Sequence, residues 1–451
     1  MNIIIVGCSR VGLTLASELV NEDNNITMID LSQEKVSEVT SKYDVMGIVG
    51  NGATHKTLSE AGVETADLLI AVTDSDELNL LCCIIAKKTG NCRAIARVVS
   101  PEYSTEANYL KKGLGLEMII NPELEAAKEI VRVLRFPSAL NIETFAGGRV
   151  ELITFRLPEG SVLSGMQLKD AVMKLKTNVL ISTVQRDGEA YIPNGSFVFQ
   201  DKDIISLVAS HKDASDFFLK INYNAEAVRD AIILGAGDIT NYLCNMLTSS
   251  VSLKVIEKDY ELCEQLSNNY RDVTVINGDA NEHDILVEEG ILNTGAFLSL
   301  LDGDEENILL SLFAKKSGTA KVVTKINRTD YDDIINHLDL DTTVYPKSIT
   351  SDMILRYVRA TKSSYGSNVE TMYNVIKGKV EASEFKIGDG SPICNTPLMQ
   401  LNFKKDVLVA AILRDGKLII PRGSDVIMPH DSVIIVTKIL GLRDISDILD
   451  D

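Results

Sequence analysis

Two short glycine-containing segments have the residue types and spacing of turns that hold nucleotide phosphates. The first reads Gly7-Cys8-Ser9-Arg10-Val11-Gly12 and directly follows an apolar run. In such turns the first glycine permits a tight bend, the last lets the next helix pack on the strand, and the middle position approaches a pyrophosphate. The Ser9 hydroxyl at that middle position could donate to a phosphate, and Arg10 adds a positive charge beside the free N–H groups of the helix.

An acidic residue follows this turn at the distance that a ribose contact requires. Asp30 ends the second apolar run, 18 residues after Gly12. A carboxylate there accepts hydrogen bonds from a ribose diol and repels a 2′-phosphate, which favours NAD or adenosine nucleotides over NADP. The loops after the next three strands should open on the same crevice. They add Asn51 for an adenine or ribose contact, Thr73 and Asp74 for the ribose or nicotinamide side, and Arg97 for a phosphate or an acid.

The second segment reads Gly235-Ala236-Gly237-Asp238-Ile239-Thr240 and differs from the first at informative positions. Its middle residue is glycine, its last is threonine, and Asp238 stands where the first copy has Arg10. An acid beside a phosphate is electrostatically unfavourable. The expected ribose acid is Glu257, and the further candidate contacts are Asp279 and Lys325. The second segment is therefore expected to bind nucleotide weakly, to bind a less charged ligand, or to be an empty structural copy.

Both segments belong to a duplication that runs through most of the chain. Gly7 and Gly235 are 228 positions apart, and the same offset pairs Asp76 with Asp304. Further pairs at this offset are Gly50-Asn51 with Gly278-Asp279, Asn79 with Asn307, Arg97 with Lys325, and Arg186-Asp187-Gly188 with Arg414-Asp415-Gly416. One offset across so many residues indicates a unit written twice.

The elements that position these residues can be read from the first copy. Short apolar runs at residues 2–6, 25–30, 45–49, 68–71, 94–98 and 116–120 alternate with helical patterns. Strands that alternate with helices form a parallel sheet covered on both faces. A last helix is predicted from Asn121-Pro122 to about Arg135, because proline suits the first turn of a helix.

From about residue 140 the pattern changes to short strands, predicted at 150–157, 180–186, 191–192 and 203–208, with a helix at 165–176 and a hairpin turn at Asp187-Gly188. The second copy repeats both parts in the same order, at about 229–360 and about 370–451, and a Ser/Gly-rich linker at 362–368 joins them. The predicted domains are 1–136 and 229–360, which are nucleotide-binding, and the modules 140–222 and 369–451. The fold class is thus α/β, with two tandem Rossmann-like doubly wound parallel sheets, each followed by a small α+β module.

The sequence offers little for catalysis. Among five histidines only His55 and His283 share the repeat offset, and none of the seven cysteines is repeated. A dehydrogenase needs an acid/base group beside its hydride site, and none is evident in either copy. The odd cysteine count without a CxxC motif is typical of a reduced, cytosolic protein. We therefore expect no catalytic residue and no metal site.

The composition of the chain argues against two kinds of partner, nucleic acids and a lipid bilayer that the chain itself would span. The chain has 451 residues, 45 Lys and Arg, and 64 Asp and Glu, for a net charge of −19. An acidic chain repels phosphate backbones, so a nucleic-acid partner is not expected. The longest stretch free of charged residues, 239–253, contains two Asn, two Thr and three Ser and is shorter than the roughly 20 mostly apolar residues of a membrane span.

These segments together resemble a known family. The runs IIIVGCSRVGLTLASEL and TADLLIAVTDSDELNLL of the first copy, and IILGAGDIT and LDGDEENILLSLFAKKSG of the second, are similar to the TrkA family of regulatory subunits of Trk-type potassium uptake systems. Members of this family are built from RCK units, each a KTN domain followed by a TrkA-C domain. The resemblance covers essentially the whole chain.

The resemblance implies a non-enzymatic cytoplasmic protein, peripheral at the inner face of the plasma membrane through a TrkH- or TrkG-type potassium transporter. It implies a homo-oligomer, a dimer or tetramer, whose ring changes shape with NAD(H) or ATP/ADP and so gates transport. By position, the family's nucleotide contacts fall on Gly7 to Val11, Asp30, Thr73-Asp74, Arg97, Gly235 to Ile239 and Glu257. Ser9, Asp238 and Thr240 depart from the family pattern.

Two other functions remain open from the residues alone, an NAD-dependent oxidoreductase and a structural adaptor that binds no nucleotide. Equilibrium nucleotide binding separates the adaptor from a sensor, and turnover of NADH would favour the enzyme. The helices after Asn121-Pro122 and Tyr345-Pro346 are candidates for crossing to another subunit, because their predicted apolar faces would exceed what one chain can cover.

Overall fold

The computed structural model describes residues 1–450 except 23, 91, 137–138, 224–227, 329–337, 339, 364–368, 377 and 443. The predicted break at 136–138 and the linker at 362–368 thus lie largely outside the described residues. The chain divides into two compact units. The first unit contains Met1–Arg135, the first lobe, and Val228–Leu355, the second lobe; the second unit contains Phe136–Ala227, the first module, and Arg356–Asp451, the second module.

The first lobe is a six-stranded parallel sheet with helices between its strands. Its elements are β1 (Asn2–Val6), α1 (Arg10–Val20), β2 (Asn25–Asp30), α2 (Gln33–Lys42), β3 (Met46–Val49), α3 (His55–Glu60), β4 (Leu68–Ala71), α4 (Asp76–Gly90), β5 (Arg93–Arg97), α5 (Pro101–Thr105), α6 (Ala107–Leu114), β6 (Met118–Ile120) and α7 (Pro122–Arg135). The strand order is β3-β2-β1-β4-β5-β6. Ile3, Ile4 and Ile5 are at most 2% exposed, because the central strand is covered on both faces.

The first module is an antiparallel sheet of order β10-β9-β11-β8-β7. Its elements are β7 (Ala139–Phe145), β8 (Val150–Arg156), α8 (Leu168–Leu175), β9 (Leu180–Arg186), β10 (Glu189–Tyr191), β11 (Ile204–Ala209) and α9 (His211–Lys220). The predicted hairpin is present: Arg186 pairs with Glu189, and Asp187 and Gly188 both have positive φ, as a two-residue hairpin turn requires.

The second lobe repeats the first. Its elements are β12 (Asp230–Leu234), α10 (Asp238–Leu247), β13 (Ser252–Glu257), α11 (Tyr260–Asn269), β14 (Val273–Asn277), α12 (His283–Glu288), β15 (Ala296–Ser299), α13 (Asp304–Lys316), β16 (Lys321–Lys325), β17 (Thr342–Val344) and α14 (Pro346–Ser363), which continues past the end of the lobe. The order β14-β13-β12-β15-β16-β17 matches that of the first lobe, and the carboxyl ends of its parallel strands share one edge.

The second module has the sheet order β18-β19-β22-β20-β21. Its elements are β18 (Val369–Ile376), β19 (Val380–Lys386), a 3₁₀ turn (Leu398–Gln400), β20 (Val407–Arg414), β21 (Lys417–Ile419), β22 (Ser432–Thr437) and a second 3₁₀ turn (Ile445–Ile448). Apolar residues of both modules form one buried cluster, which includes Phe145, Leu152, Ala382 and Val436. The two lobes therefore pack together in the first unit, and the two modules pack together in the second.

Helix α7 corrects an expectation about subunit crossing. Its apolar side chains belong to the same buried cluster as Ile239, Leu243 and Leu247 of the second lobe; they are Ala126, Ala127, Ile130, Val131 and Leu134. The first lobe's last helix thus covers α10 within one chain, so its apolar face needs no second subunit.

Candidate functional site

The first glycine turn has the close packing that its glycines were predicted to permit. Gly7 has a φ of +109°, and a Cβ there would lie 2.9 Å from the Val72 carbonyl oxygen. A Cβ on Gly12 would lie 2.0 Å from the Gly7 carbonyl oxygen. Both positions are therefore restricted to glycine by the backbone around them.

The predicted ribose acids lie against the turns in the same way in both lobes. Asp30 Oδ2 accepts from the Cys8 N–H at 2.7 Å, and Oδ1 accepts from the Ser32 N–H at 2.9 Å. In the second lobe, Glu257 Oε2 accepts from the Ala236 N–H at 2.9 Å, and its other oxygen from the Asp259 N–H at 2.8 Å. Each carboxylate oxygen can accept a second hydrogen bond, so the acids are fixed in place and still able to bind a diol.

The middle residue of the motif behaves differently in the two lobes. The Ser9 hydroxyl donates to the Val72 carbonyl oxygen at 3.0 Å, so its one proton is already used in this structure rather than directed at a phosphate. A Cβ on Gly237 would meet nothing within 4 Å, which leaves the second turn's backbone open. Thr240, at the last position, is accommodated because its hydroxyl donates to the Gly235 carbonyl oxygen at 2.6 Å.

A buried asparagine fixes the loops that carry Thr73 and Arg97. Asn79 is fully buried; its Oδ1 accepts from the Thr73 N–H at 2.9 Å, and its Nδ2 donates to the Arg97 carbonyl oxygen at 2.9 Å. Asn307 makes the matching bonds in the second lobe, to the Leu301 N–H at 2.9 Å and the Lys325 carbonyl at 3.0 Å. These two asparagines join the ends of neighbouring strands. The repeat offset had paired them without indicating their role.

Asp76 and Asp304 also have a positional role. The Asp76 carboxylate accepts from the N–H groups of Val99 at 3.0 Å and Ser100 at 2.7 Å. Asp304 accepts in the same way from the N–H groups after β16, and it is 3% exposed. Both acids begin a helix, where the positive end of the helix dipole favours a carboxylate, and both hold the adjacent loop.

A cavity of about 690 Å³ lies between the lobes of the first unit, a size typical of ligand sites. From the first lobe it is lined by Ser9, Arg10, Val11, Asp74, Arg97, Pro122 and Glu123. From the second lobe it is lined by residues 235–240, Ile256, Glu257, Lys258, Asp259, Leu262, residues 278–281, residues 300–303, Glu306, Lys325, Asn327, Pro346 and Lys347. The cavity therefore combines all the site residues predicted in the second lobe with Arg10 of the first glycine turn and with Arg97.

The predicted site residues fall into two groups. Those of the second lobe all line the cavity, together with Ser9, Arg10, Val11, Asp74 and Arg97. The other six predicted residues of the first lobe lie in the first glycine turn or in the loops beside it and do not line the cavity: Gly7, Cys8, Gly12, Asp30, Asn51 and Thr73. The Asn51 Oδ1 accepts from the Ala53 N–H at 2.9 Å, and the Thr73 hydroxyl donates to Asn79 at 2.7 Å.

Glu123 is the main lining residue that the sequence did not single out. Burial raises the pKa of its carboxyl, a nearby Asp238 raises it further, and Arg97 and Lys325 lower it. Burial also raises the pKa of Asp238, which Lys325 lowers. Two acids and two bases thus interact at the N-terminus of α10. The predicted helix start at Asn121-Pro122 was the available signal, since it places Glu123 in the first helical turn.

The lobes also meet through a polar contact beside the cavity. The Asn121 Nδ2 donates to the Val99 carbonyl oxygen at 2.8 Å and to the Tyr242 hydroxyl at 3.1 Å. The Asn121 Oδ1 accepts from the Leu124 N–H at 2.8 Å and so caps α7. The buried Asn121 side chain therefore links the loop after β5 with α7 and with α10 of the second lobe.

The structure also describes the potential metal ligands, the thiols and the helix lengths. Within the described residues there is no group of three or more His, Cys, Asp and Glu side chains placed to hold a metal ion. All seven cysteines are free; burial raises the pKa of Cys8, in the first turn, to about 11, which makes it a poor nucleophile. No helix within the described ranges has the length and apolar character to cross a membrane.

Known proteins place the chain in a family. The sequence profile of the TrkA-N domain matches residues 3–122 and 231–346, and that of the TrkA-C domain matches residues 152–222 and 382–450. The Trk system potassium uptake protein TrkA homolog of Archaeoglobus fulgidus is 33% identical over 441 residues, covering 97% of each chain. The chain belongs to the TrkA family. Trk system potassium uptake protein TrkA of Halomonas elongata is 29% identical over 96% of this chain and 93% of its own.

Solved structures agree on the fold of this TrkA family member. The GsuK channel matches with a TM-score of 0.65 at 16% identity, over 97% of this chain and 76% of the channel. The GsuK channel bound to NAD matches with a TM-score of 0.64 over the same shares, also at 16% identity. The predicted family and fold class are therefore confirmed: tandem Rossmann-like parallel sheets with antiparallel modules.

Proposed function

We propose that this chain is a nucleotide-sensing regulatory subunit of a potassium uptake system. The observation that carries the proposal is the repeated geometry of Cys8–Asp30 and Ala236–Glu257, in which a carboxylate is held under a glycine turn at the edge where the strands end. That geometry suits a ribose diol and a pyrophosphate. The relatives' names, which specify potassium uptake, supply the system that the nucleotide would regulate.

In the first lobe, the proposed nucleotide contacts are Gly7, Cys8, Ser9, Arg10, Val11, Gly12, Asp30, Asn51, Thr73, Asp74 and Arg97. In the second they are Gly235, Ala236, Gly237, Asp238, Ile239, Glu257, Asp279 and Lys325. The ligand class is NAD(H) or ATP/ADP, because an acid rather than a base stands at each ribose position. The NAD-bound GsuK channel, which shares this fold, supports the class.

The lobes offer a physical route from ligand to shape. Glu123, in the first turn of α7, lines the cavity, while Ile130 farther along α7 is buried with α10 of the second lobe. A ligand in the cavity would therefore touch both lobes and favour the lobe arrangement that it fits better. Its differential affinity would shift a homo-oligomer, a dimer or tetramer, between two shapes. A membrane potassium transporter of the TrkH or TrkG type would respond at the cytoplasmic face of the plasma membrane.

Equilibrium binding to the purified chain tests this function. Isothermal titration with NAD⁺, NADH, ADP and ATP should show saturable binding, with light scattering giving the assembly mass and small-angle scattering a nucleotide-dependent change in its dimensions. If none of the four nucleotides binds, the structural-adaptor alternative is correct and the sensor is excluded. Oxidation of NADH with a co-substrate would instead favour an oxidoreductase.

Arg10→Ala tests the phosphate contact. A charge-assisted hydrogen bond is worth roughly 1.5–3 kcal/mol, so its loss should weaken binding by about 10- to 100-fold. Arg271→Ala is the control, because Arg271 is exposed and lies outside the cavity. If both variants bind the nucleotide with equal affinity, Arg10 does not contact its phosphate.

A further inference from the structure

A group of basic residues in the first lobe lies at the sheet edge opposite the glycine turn. The glycine turn follows the carboxyl end of a strand, and the C-terminal ends of the helices lie at the other edge, with the amino ends of the strands. Five basic side chains are found there, in the last turns of α4 and α6 and at the start of β5: Lys87, Lys88, Lys111, Lys112 and Arg93. The two helix ends are adjacent, because a Cβ on Gly115, which caps α6, would lie 3.3 Å from the Lys87 Cε atom. We call these five residues the basic patch.

The charges of the basic patch are not neutralised within the described part of the chain. None of its side chains forms an ion pair with a described residue, and all are exposed except Lys87, which is half-buried. The segments that carry the patch, 84–93 and 107–118, contain one acid, Glu117. Glu64 and Asp67 border the patch on the side of β4, where both accept hydrogen bonds. This end of the sheet therefore has a local excess of positive charge, although the whole chain has a net charge of −19.

The second lobe pairs the corresponding basic residues with an acid of its own. Lys315, which the repeat offset matches with Lys87, forms an ion pair of 2.8 Å with Asp341. Lys321, which matches Arg93, is 8% exposed, and its pKa is lowered by burial and raised by the same Asp341. Basic residues that only complement the dipoles of their helices would be treated alike in the two copies. The difference indicates that the basic patch of the first lobe interacts with something outside the chain.

We infer that the basic patch binds the anionic headgroups of a lipid surface. A cluster of about four to eight Lys and Arg residues is sufficient to attract a protein to an anionic leaflet. The net charge of the chain does not prevent this, because charges more than about 8 Å apart in solvent are largely screened at physiological ionic strength. Tyr109 of α6 is 74% exposed and precedes Lys112 by three positions, so the two share one face of the helix. A tyrosine ring beside lysines suits the headgroup level of a bilayer.

Two other partners fit the charge of the basic patch less well. The cytoplasmic loops of membrane proteins carry an excess of Lys and Arg, so the cytoplasmic surface of a transporter would repel the patch. A twofold contact between two copies of this chain, centred on the patch, would bring like charges together. An anionic lipid surface has neither disadvantage. Contact with it would hold the first lobe against the bilayer, with the glycine turn at the opposite edge of the sheet left accessible.

Flotation of the full chain with lipid vesicles tests the contact. Vesicles of equal parts phosphatidylcholine and phosphatidylglycerol should bind the chain in low salt, phosphatidylcholine alone should not, and about 0.5 M salt should release the chain. Each basic residue near an anionic surface strengthens binding about fivefold, so a triple variant with Lys88→Gln, Lys111→Gln and Lys112→Gln should bind about 100-fold more weakly. The matched control combines Lys174→Gln, Lys316→Gln and Lys417→Gln, which remove the same charge at exposed positions outside the patch. It should bind as the wild-type chain does.

The outcomes are distinct. If the anionic vesicles do not bind the wild-type chain, or if the two triple variants lose affinity equally, the inference is wrong. If the vesicles do not bind and light scattering shows that only the patch variant changes the assembly mass, the patch contacts a second copy of the chain instead. An intact thermal transition and an unchanged nucleotide affinity of the patch variant show that a loss of lipid binding reflects the patch rather than unfolding. Failure of the lipid contact leaves the proposed nucleotide-sensing function untouched, because that function is measured without vesicles.

Discussion

Replacing Gly12 by alanine should destabilise the first lobe although alanine is the better helix former. The new Cβ would lie 2.0 Å from the Gly7 carbonyl oxygen and 3.2 Å from its carbonyl carbon. The oxygen cannot simply move away, because the Gly7 N–H is bonded to the Ile29 carbonyl at 2.8 Å in the neighbouring strand. The contact must open by about 1 Å, which shifts α1 away from the sheet that it covers.

The size of the effect is a balance of two terms. Forcing a helix off a well-packed sheet costs about 3 kcal/mol, and alanine in place of glycine inside a helix restores about 1 kcal/mol. The net loss is about 2 kcal/mol, which in a unit of this size lowers the melting temperature by about 5 °C. Differential scanning calorimetry of the full chain measures it.

Gly113→Ala is the matched control. Gly113 also lies inside a helix, α6, but is exposed, and a Cβ there would meet nothing within 4 Å. This variant should be more stable than wild type by about 1 kcal/mol. If Gly12→Ala melts at or above the wild-type temperature while Gly113→Ala behaves as expected, the turn is looser than its geometry implies and the steric argument is wrong.

Three further outcomes follow from the contacts. Arg186→Ala leaves the Asp203 carboxylate, 1% exposed, without its two bonds of 2.7 Å, and should cost about 3 kcal/mol in chemical denaturation; a loss below about 1 kcal/mol would contradict this. Tyr242→Phe removes the hydroxyl bonded to Asn121 and should cost about 1 kcal/mol, whereas no change would mean that water replaces the bond. Because burial raises the pKa of Asp238, the folded state binds this proton more tightly than the unfolded state, and ionisation opposes folding as pH rises. Asp238→Asn should therefore be more stable than wild type near pH 8, with the difference vanishing as pH falls through the raised pKa to the ordinary carboxyl range; a constant difference would refute the assignment.

Much of each lobe was predictable because its strands are local, apolar and separated by turns of recognisable chemistry. The predicted runs at 2–6, 25–30 and 68–71 have the bounds of β1, β2 and β4. The run predicted at 94–98 is displaced by one residue from β5. The first module was less clear. β7 was missed, because its side chains are mostly only half-buried. α9 was also missed, although Ser210 caps it and Ala214 and Phe217 have helical spacing.

The candidate site was only partly predictable. Gly12 and Asp30 could be assigned from spacing, since turn sterics and the reach of a carboxylate act over a few residues. The burial of Glu123 could not, because it depends on a lobe more than 100 residues away in the sequence. The predicted domain boundaries remain a prediction.

The sequence by itself determined the duplication, the parallel sheets, the two glycine turns and the acid beneath each, because these depend on local periodicity and on the steric demands of single residues. Only the tertiary structure decided that α7 leaves its own lobe to cover α10, and that Arg10 and Glu123 thereby line the crevice of the other copy. The physical reason is that an amphipathic helix specifies an apolar face but not the surface that buries it. That surface is chosen by packing among all the faces that the folded chain presents.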